Sequence, residues 1–241
     1  MKTMTKSIRR SVLTAAILGL TAASSQAAPI IWGAPQNITG DTDVSLDGSL
    51  VRAFNVGDTG VSATLVNTVN FESFAVPNNS TGATVGNFAI AVGAPSFSDN
   101  TNFGSPFAPF TALSSAYQTL LAARLHQGFG FTLTISGLSV GEQYEFQWWC
   151  NESQTAQTQH SATADGSTVT LLNRIPNNNG GIGQYAIGTF TADAAPQTIT
   201  FSGVAPGGIL NGFQVRQVPE PSTWAMLAAG AGSLLGFRRR R

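Results

Sequence analysis

The sequence predicts an all-β fold, a two-sheet antiparallel β-sandwich carrying one short helix. Three observations lead there. The central part is rich in Gly, Thr, Ser, Asn, Val and Phe and poor in long charged helix formers, a composition that suits pleated, half-buried strands. Apolar residues alternate with small or polar ones over short runs, which gives each run one apolar face. The runs are separated by the turn-forming stretches GDTG, PNNSTG, PNNNGGIG and ADAAP, and two sheets packed face to face bury such faces most economically.

Strands are expected at Ser49 to Val56, Thr68 to Val76, Asn87 to Val92, Ser167 to Leu172, Gln184 to Thr191, Gln197 to Gly203 and Gly212 to Arg216. Alternation is weaker in the first half. The clearest pair is FGFTLTISGLSVGEQYEFQWWC. There Phe129, Phe131, Leu133 and Ile135 line one face, and Tyr144, Phe146, Trp148 and Cys150 line the next. The short Gly-flanked link between these runs predicts antiparallel neighbours. In TALSSAYQTLLAARL, Leu113, Ala116, Tyr117, Leu120, Leu121 and Arg124 fall at helical spacing, so a helix is expected over about 111–124, with Thr111 as N-cap and its apolar stripe against the core.

Charge divides the chain into unlike parts. Eight of the twelve basic residues lie at the two ends, which leaves Arg52, Arg124, Arg174 and Arg216 between residues 28 and 217, against eleven acids and no lysine. A stretch of net charge −7 excludes a phosphate-tracking surface, and no nucleic-acid partner is expected. Cys150 is the single cysteine, so no intrachain disulfide forms. A buried inert thiol is the first reading of it, an interchain disulfide the second.

Candidate chemistry is sparse, and no catalytic residue is assigned. The sequence has two histidines, His126 and His160, and lacks the zincin, nucleophile-elbow and phosphate-loop motifs. Glu142, Glu145 and Glu152 flank one expected hairpin and are the carboxylates a glycan-active enzyme would need to bring together. Asp41, Asp43 and Asp47 supply oxygen ligands for a structural calcium ion, the one cofactor considered. Yet an EF-hand reading places Leu46 where glycine is required and Arg52 where glutamate is required, so turn-forming roles compete with it. Trp149 shares parity with Glu145 and Gln147, opposite to Trp148. With Asn151 and Glu152 it forms a candidate carbohydrate-binding group, because a pyranose ring stacks on an aromatic while its hydroxyls seek polar partners. The competing reading covers Trp149 with a loop or the helix.

The two ends read as addresses. Lys2, Lys6, Arg9 and Arg10 precede an apolar run from Val12 to about Ala23. Small residues at Ser25 and Ala27 predict a signal peptide over 1–27, cut by signal peptidase between Ala27 and Ala28. The domain itself is expected over 28–217. Residues 218–241 follow it: VPEPS, a single hydrophobic helix from Thr223 to Phe237, then Arg238, Arg239, Arg240 and Arg241. At roughly 1.5 Å per residue that helix spans about 22 Å, short of the roughly 30 Å of bilayer hydrocarbon. It is expected to insert only transiently, with the arginines staying cytoplasmic.

Pro219-Glu220-Pro221, the apolar segment and the arginine cluster together resemble the PEP-CTERM sorting signal of Gram-negative bacteria. The resemblance implies an exosortase as partner, with Pro219, Glu220 and Pro221 as its recognition element and Arg238 to Arg241 as the stop signal. It further implies an exported protein of the cell surface or extracellular matrix, associated with exopolysaccharide and biofilm. GLSVGEQYEFQWW, GQYAIGTFTADAAPQTITFSG and LNGFQVR are similar to the ectodomains of such proteins, which implies a jelly-roll-like or carbohydrate-binding sandwich. The expected function is then a non-catalytic matrix protein that binds polysaccharide. The alternatives are a structural subunit without specific ligand and a glycan-active enzyme.

Overall fold

A computed structural model describes residues 28–93, 96–204 and 207–219. The signal peptide, Glu220, Pro221, the hydrophobic segment and the terminal arginines lie outside the described residues. The described part is nearly all β. In chain order the elements are β1 (Ile31–Trp32), β2 (Gln36–Asn37), β3 (Ser49–Gly57), β4 (Thr64–Val66), β5 (Val69–Ala75), β6 (Gly82–Val85), β7 (Phe88–Val92), β8 (Phe97–Asp99) and α1 (Ser115–Ala122). They continue as β9 (Arg124–Gln127), β10 (Phe131–Ile135), β11 (Gln143–Cys150), β12 (Gln159–Ala164), β13 (Ser167–Leu172), β14 (Gln184–Thr191), β15 (Gln197–Gly203), β16 (Gly208–Leu210) and β17 (Gly212–Val218). Among the described residues no helix is long and apolar enough to cross a membrane.

Two large sheets share one core. An eight-stranded sheet runs β1-β14-β11-β17-β3-β5-β4, with β2 also paired to β14, and a six-stranded sheet runs β13-β12-β15-β10-β7-β6. Trp148 of β11 meets Phe201 of β15 edge-on at 5.2 Å, and Phe88 of β7 lies 5.9 Å from Phe213 of β17. Rings from the two sheets therefore interdigitate. Each such side chain, once fully buried, stabilises the fold by roughly 1.5–3 kcal/mol.

The expectation of a wholly antiparallel two-sheet sandwich needs two corrections. β3 and β5 pair in parallel, with Phe54 opposite Glu72 and Gly57 opposite Ala75. A third, three-stranded sheet runs β16-β9-β8. The expected hairpin is also corrected: β10 pairs with β15 and β7, whereas β11 pairs with β14 and β17. The link over 136–142 is an arch between sheets, pinned by Ser139 N–H donating to Tyr144 Oη at 3.0 Å. Alternation fixes which face is apolar, and an arch buries Leu133 and Ile135 in the same core as Tyr144, Phe146 and Trp148.

Phe129 departs from its expected place as well. The strand begins at Phe131, Gly130 takes φ +83, and Phe129 stands 89% exposed. A left-handed residue breaks the period-two alternation just ahead of β10.

The helix is shorter than expected. A 3-10 turn at Phe110–Ala112 ends in the extended residue Leu113, and the N-cap of α1 is Ser114 in place of Thr111. Ser114 Oγ accepts from Tyr117 N–H at 3.1 Å and donates to Asp41 Oδ1 at 2.7 Å. Arg124 already belongs to β9. The apolar stripe does face inward: Tyr117, Leu120 and Leu121 are buried with Phe71, Phe110 and Trp149 in a second core on the outer side of the eight-stranded sheet. That second core explains the weak alternation of the first half, since residues 53–57 of β3 are buried on both faces.

Candidate functional site

Helix α1 has two faces of different chemistry. Tyr117, Leu120 and Leu121 turn to the sheet, while Ser115, Gln118, Thr119 and Ala122, spaced as one helical stripe, turn to an open cleft of about 760 Å³. Asn55 of β3, Ser62, Asn100, Thr101, Gly104 to Pro106 of one loop, Gln154 and the edge of the buried Phe110 complete its lining. Its polar side chains are amides and hydroxyls, and none of the lining residues is charged. The loop approaches closely because Gly104 has no side chain: a Cβ there would stand 2.8 Å from the Phe110 ring.

Asn55 gives the cleft its most specific feature. It is fully buried, and its Nδ2 donates to Ser62 O at 2.9 Å. Its Oδ1 has no hydrogen-bond partner, and neither has Asn100 Oδ1 in the same cleft wall. Asn100 Nδ2 donates to Thr59 O at 3.1 Å, which fixes that side chain too. Leaving a buried acceptor unmade costs about 1–3 kcal/mol.

The residues singled out from sequence occupy other places. Trp149 does point away from Trp148, as strand parity requires, yet it is fully buried rather than exposed. Its ring meets Phe71 at 5.4 Å, and its Nε1 donates to Tyr117 Oη at 2.8 Å. Further along the same face, Gln147 Oε1 accepts from Ser45 N–H, and Gln147 Nε2 donates to Asp43 O. The segment around residues 41–47 and α1 cover this face, so its polar parity marks a buried hydrogen-bond network.

Asn151 and Glu152 are buried as well. Asn151 Nδ2 donates to Phe103 O and Leu121 O, and Gly183 N–H donates to Asn151 Oδ1, tying the end of α1 to β11. Glu152 Oε2 lies 2.7 Å from Arg124 Nη1, and Glu152 Oε1 accepts from Gln154 N–H. The Arg124 guanidinium sits 3.2 Å from the centre of the Phe103 ring. Burial lowers its pKa to about 10 against the opposing pull of Glu152, and it stays cationic at neutral pH. Trp149, Asn151 and Glu152 therefore hold the fold.

Asp41 and Asp43 form a 3-10 turn, and Asp47 O accepts from Arg216 Nε. Asp43 accepts from Thr39 N–H, Thr39 Oγ1 and Gly40 N–H, and Asp41 accepts from Ser114. Among the described residues no group of three or more His, Cys, Asp or Glu is placed to hold a metal ion, and the Asp43 oxygens already accept three hydrogen bonds from the chain. Glu142 and Glu152 flank opposite ends of β11, roughly 30 Å apart at about 3.3 Å per residue. Glu145, between them on the covered face, is held above the usual carboxylate range, chiefly by burial. Cys150 is fully buried, and burial pushes its thiol upward.

Sequence reasoning missed the cleft. Its one legible trace is Asn55, an amide inside the otherwise apolar run Ala53 to Val56. The other lining residues come from loops and from the polar side of α1, and the tertiary fold alone assembles them.

Residues 217–241 match the PEP-CTERM protein-sorting motif. The motif carries export and exosortase-mediated delivery to the surface or extracellular space. No curated protein matches the chain. Among solved structures, the chain resembles Bacteroides uniformis beta-glucuronidase at 13% identity and TM-score 0.45, over 70% of this chain and 18% of that one. It also resembles the plant receptor-like kinase ANX2 at 12% identity and TM-score 0.46, over 71% and 49% of the two chains. The ANXUR1 extracellular domain from Arabidopsis thaliana gives 13% and 0.44, over 77% and 53%. The chain thus spans about half or less of these proteins, and likeness at this level carries none of their activities or ligands to it.

Proposed function

We propose, from the premise that this is a PEP-CTERM sorting domain-containing protein, that it is an exported, non-catalytic matrix protein that holds neutral carbohydrate in the cleft beside α1. Residues 1–27 are then a signal peptide removed before Ala28. Residues 28–217 form a jelly-roll-like sandwich, and 218–241 form a signal read by exosortase at Pro219, Glu220 and Pro221 and halted at Arg238 to Arg241. The carrying observation is the open cleft itself, lined by amides and hydroxyls and by no charged residue. Neutral sugars present many hydroxyls and no charge, and a concave site of amides and hydroxyls suits them. The separation of Glu142 from Glu152 supports a non-catalytic role, since glycoside hydrolysis needs two carboxylates within about 5–10 Å.

Mass spectrometry of the protein recovered from the producing bacterium tests the sorting half. Peptides from Thr223 to Arg241 should be missing from the mature form. Full-length protein retained in the membrane would refute it.

A further inference from the structure

The outer face of the six-stranded sheet carries a two-dimensional array of hydroxyls. Four adjacent strands, β13, β12, β15 and β10, each place Ser or Thr at two or more outward positions, while Val169, Ala162, Ile199 and Leu133 between them point into the core. The register sets Thr168, Thr163, Thr200 and Thr132 in one row across the strands. Neighbouring strands in such a row lie about 4.8 Å apart. Thr163 and Thr168 hydrogen-bond to each other at 2.8 Å, which fixes both rotamers and leaves one proton and several lone pairs facing outward. None of the described outward positions on the six strands is ionisable.

The row ends at an aromatic. Ala91 of β7 lies opposite Thr132, and Phe129, at 89% exposure, stands beside them. Ala91, Phe129, Thr132 and Thr200 line one shallow depression of about 380 Å³. An exposed ring next to a row of neutral hydroxyls offers a stacking surface and hydrogen bonds together. Sheets twist by roughly 20–25° per strand pair, which accumulates to about 60–75° over four strands. A rigid flat surface would touch only part of this face, whereas a flexible polymer follows it.

We infer that this face is a second binding surface, which takes a neutral polysaccharide chain laid across β13, β12, β15 and β10, with one sugar stacked on Phe129. It lies on the opposite side of the sandwich from α1 and does not depend on the cleft.

Affinity electrophoresis of the mature exported protein, through gels holding hydroxyethyl cellulose, dextran or soluble starch, tests it. At least one polymer should retard the wild type. The charge-neutral, shape-conserving pair Thr132→Val and Thr200→Val should weaken retardation about five-fold or more, as losing two hydrogen bonds demands, and Phe129→Ala should do likewise. Ser115→Trp, which fills the cleft, should remove only the cleft's share of the retardation, and in that background the Thr and Phe substitutions should weaken what remains. All these sites are outside the core, and unchanged thermal midpoints verify the fold. Retardation unaffected by the Thr and Phe substitutions, loss in Ser115→Trp alone, no retardation of the wild type, or self-association through this face would each overturn the inference. Loss in Ser115→Trp alone would leave the cleft reading standing.

Discussion

Trp149 Nε1 donates a 2.8 Å hydrogen bond to Tyr117 Oη across a fully buried contact. This bond joins the outer face of the eight-stranded sheet to helix α1, and so sets the wall of the cleft on the other side of that helix. Removing the acceptor with Tyr117→Phe leaves the indole N–H buried and unpartnered. The expected loss is about 1–3 kcal/mol, read by urea denaturation. A stability equal to wild type would show that the bond contributes nothing.

The buried ion pair gives a sharper contrast. Glu152→Ala strands the Arg124 guanidinium, whose side chain is only 5% exposed, and should cost about 3–5 kcal/mol. The double replacement Arg124→Met with Glu152→Gln removes both charges and keeps an acceptor for Gln154 N–H. It should recover more than half of that loss in the same denaturation series.

His160 predicts a pH dependence. It is fully buried, its Nδ1 lies 2.5 Å from Gly207 O and its Nε2 lies 2.7 Å from Thr158 Oγ1. A carbonyl can only accept, so Nδ1 carries the proton and Nε2 accepts from the threonine. Burial lowers the pKa from 6.5 to about 4. Between those values the unfolded chain binds a proton that the folded chain refuses, so stability falls as pH drops from about 6.5 toward 4. At about 1.4 kcal/mol for each tenfold change in proton affinity, the loss from this residue approaches roughly 3 kcal/mol. His160→Gln should flatten that part of the stability profile, and an unchanged slope would count against the assignment.

Strand identity was largely legible because period-two alternation survives wherever one face meets water. Ser167–Leu172, Gln184–Thr191 and Gln197–Gly203 appear with their expected bounds. Partnership was not legible, since Phe131 to Ile135 and Tyr144 to Cys150 carry the same alternation in an arch as in a hairpin. Trp149 had two places open to it, on a polar surface or under a loop or the helix, and takes the second for a related reason. Its polar neighbours Glu145 and Gln147 mark the face away from the main core, but the second core and a buried amide network cover that face. The cleft was hidden because its residues are scattered from Asn55 to Gln154 and are individually ordinary. The terminal motif was legible in full, because order and spacing along the chain are its whole content.

The central claim is that the cleft beside α1 holds a neutral sugar, and amide chemical-shift mapping of the mature protein with cellobiose and maltose tests it most directly. The predicted result is shifts concentrated at Asn55, residues 100–106 and α1, abolished by Ser115→Trp. Silence at those positions, or the same shifts with Ser115→Trp in place, would contradict it.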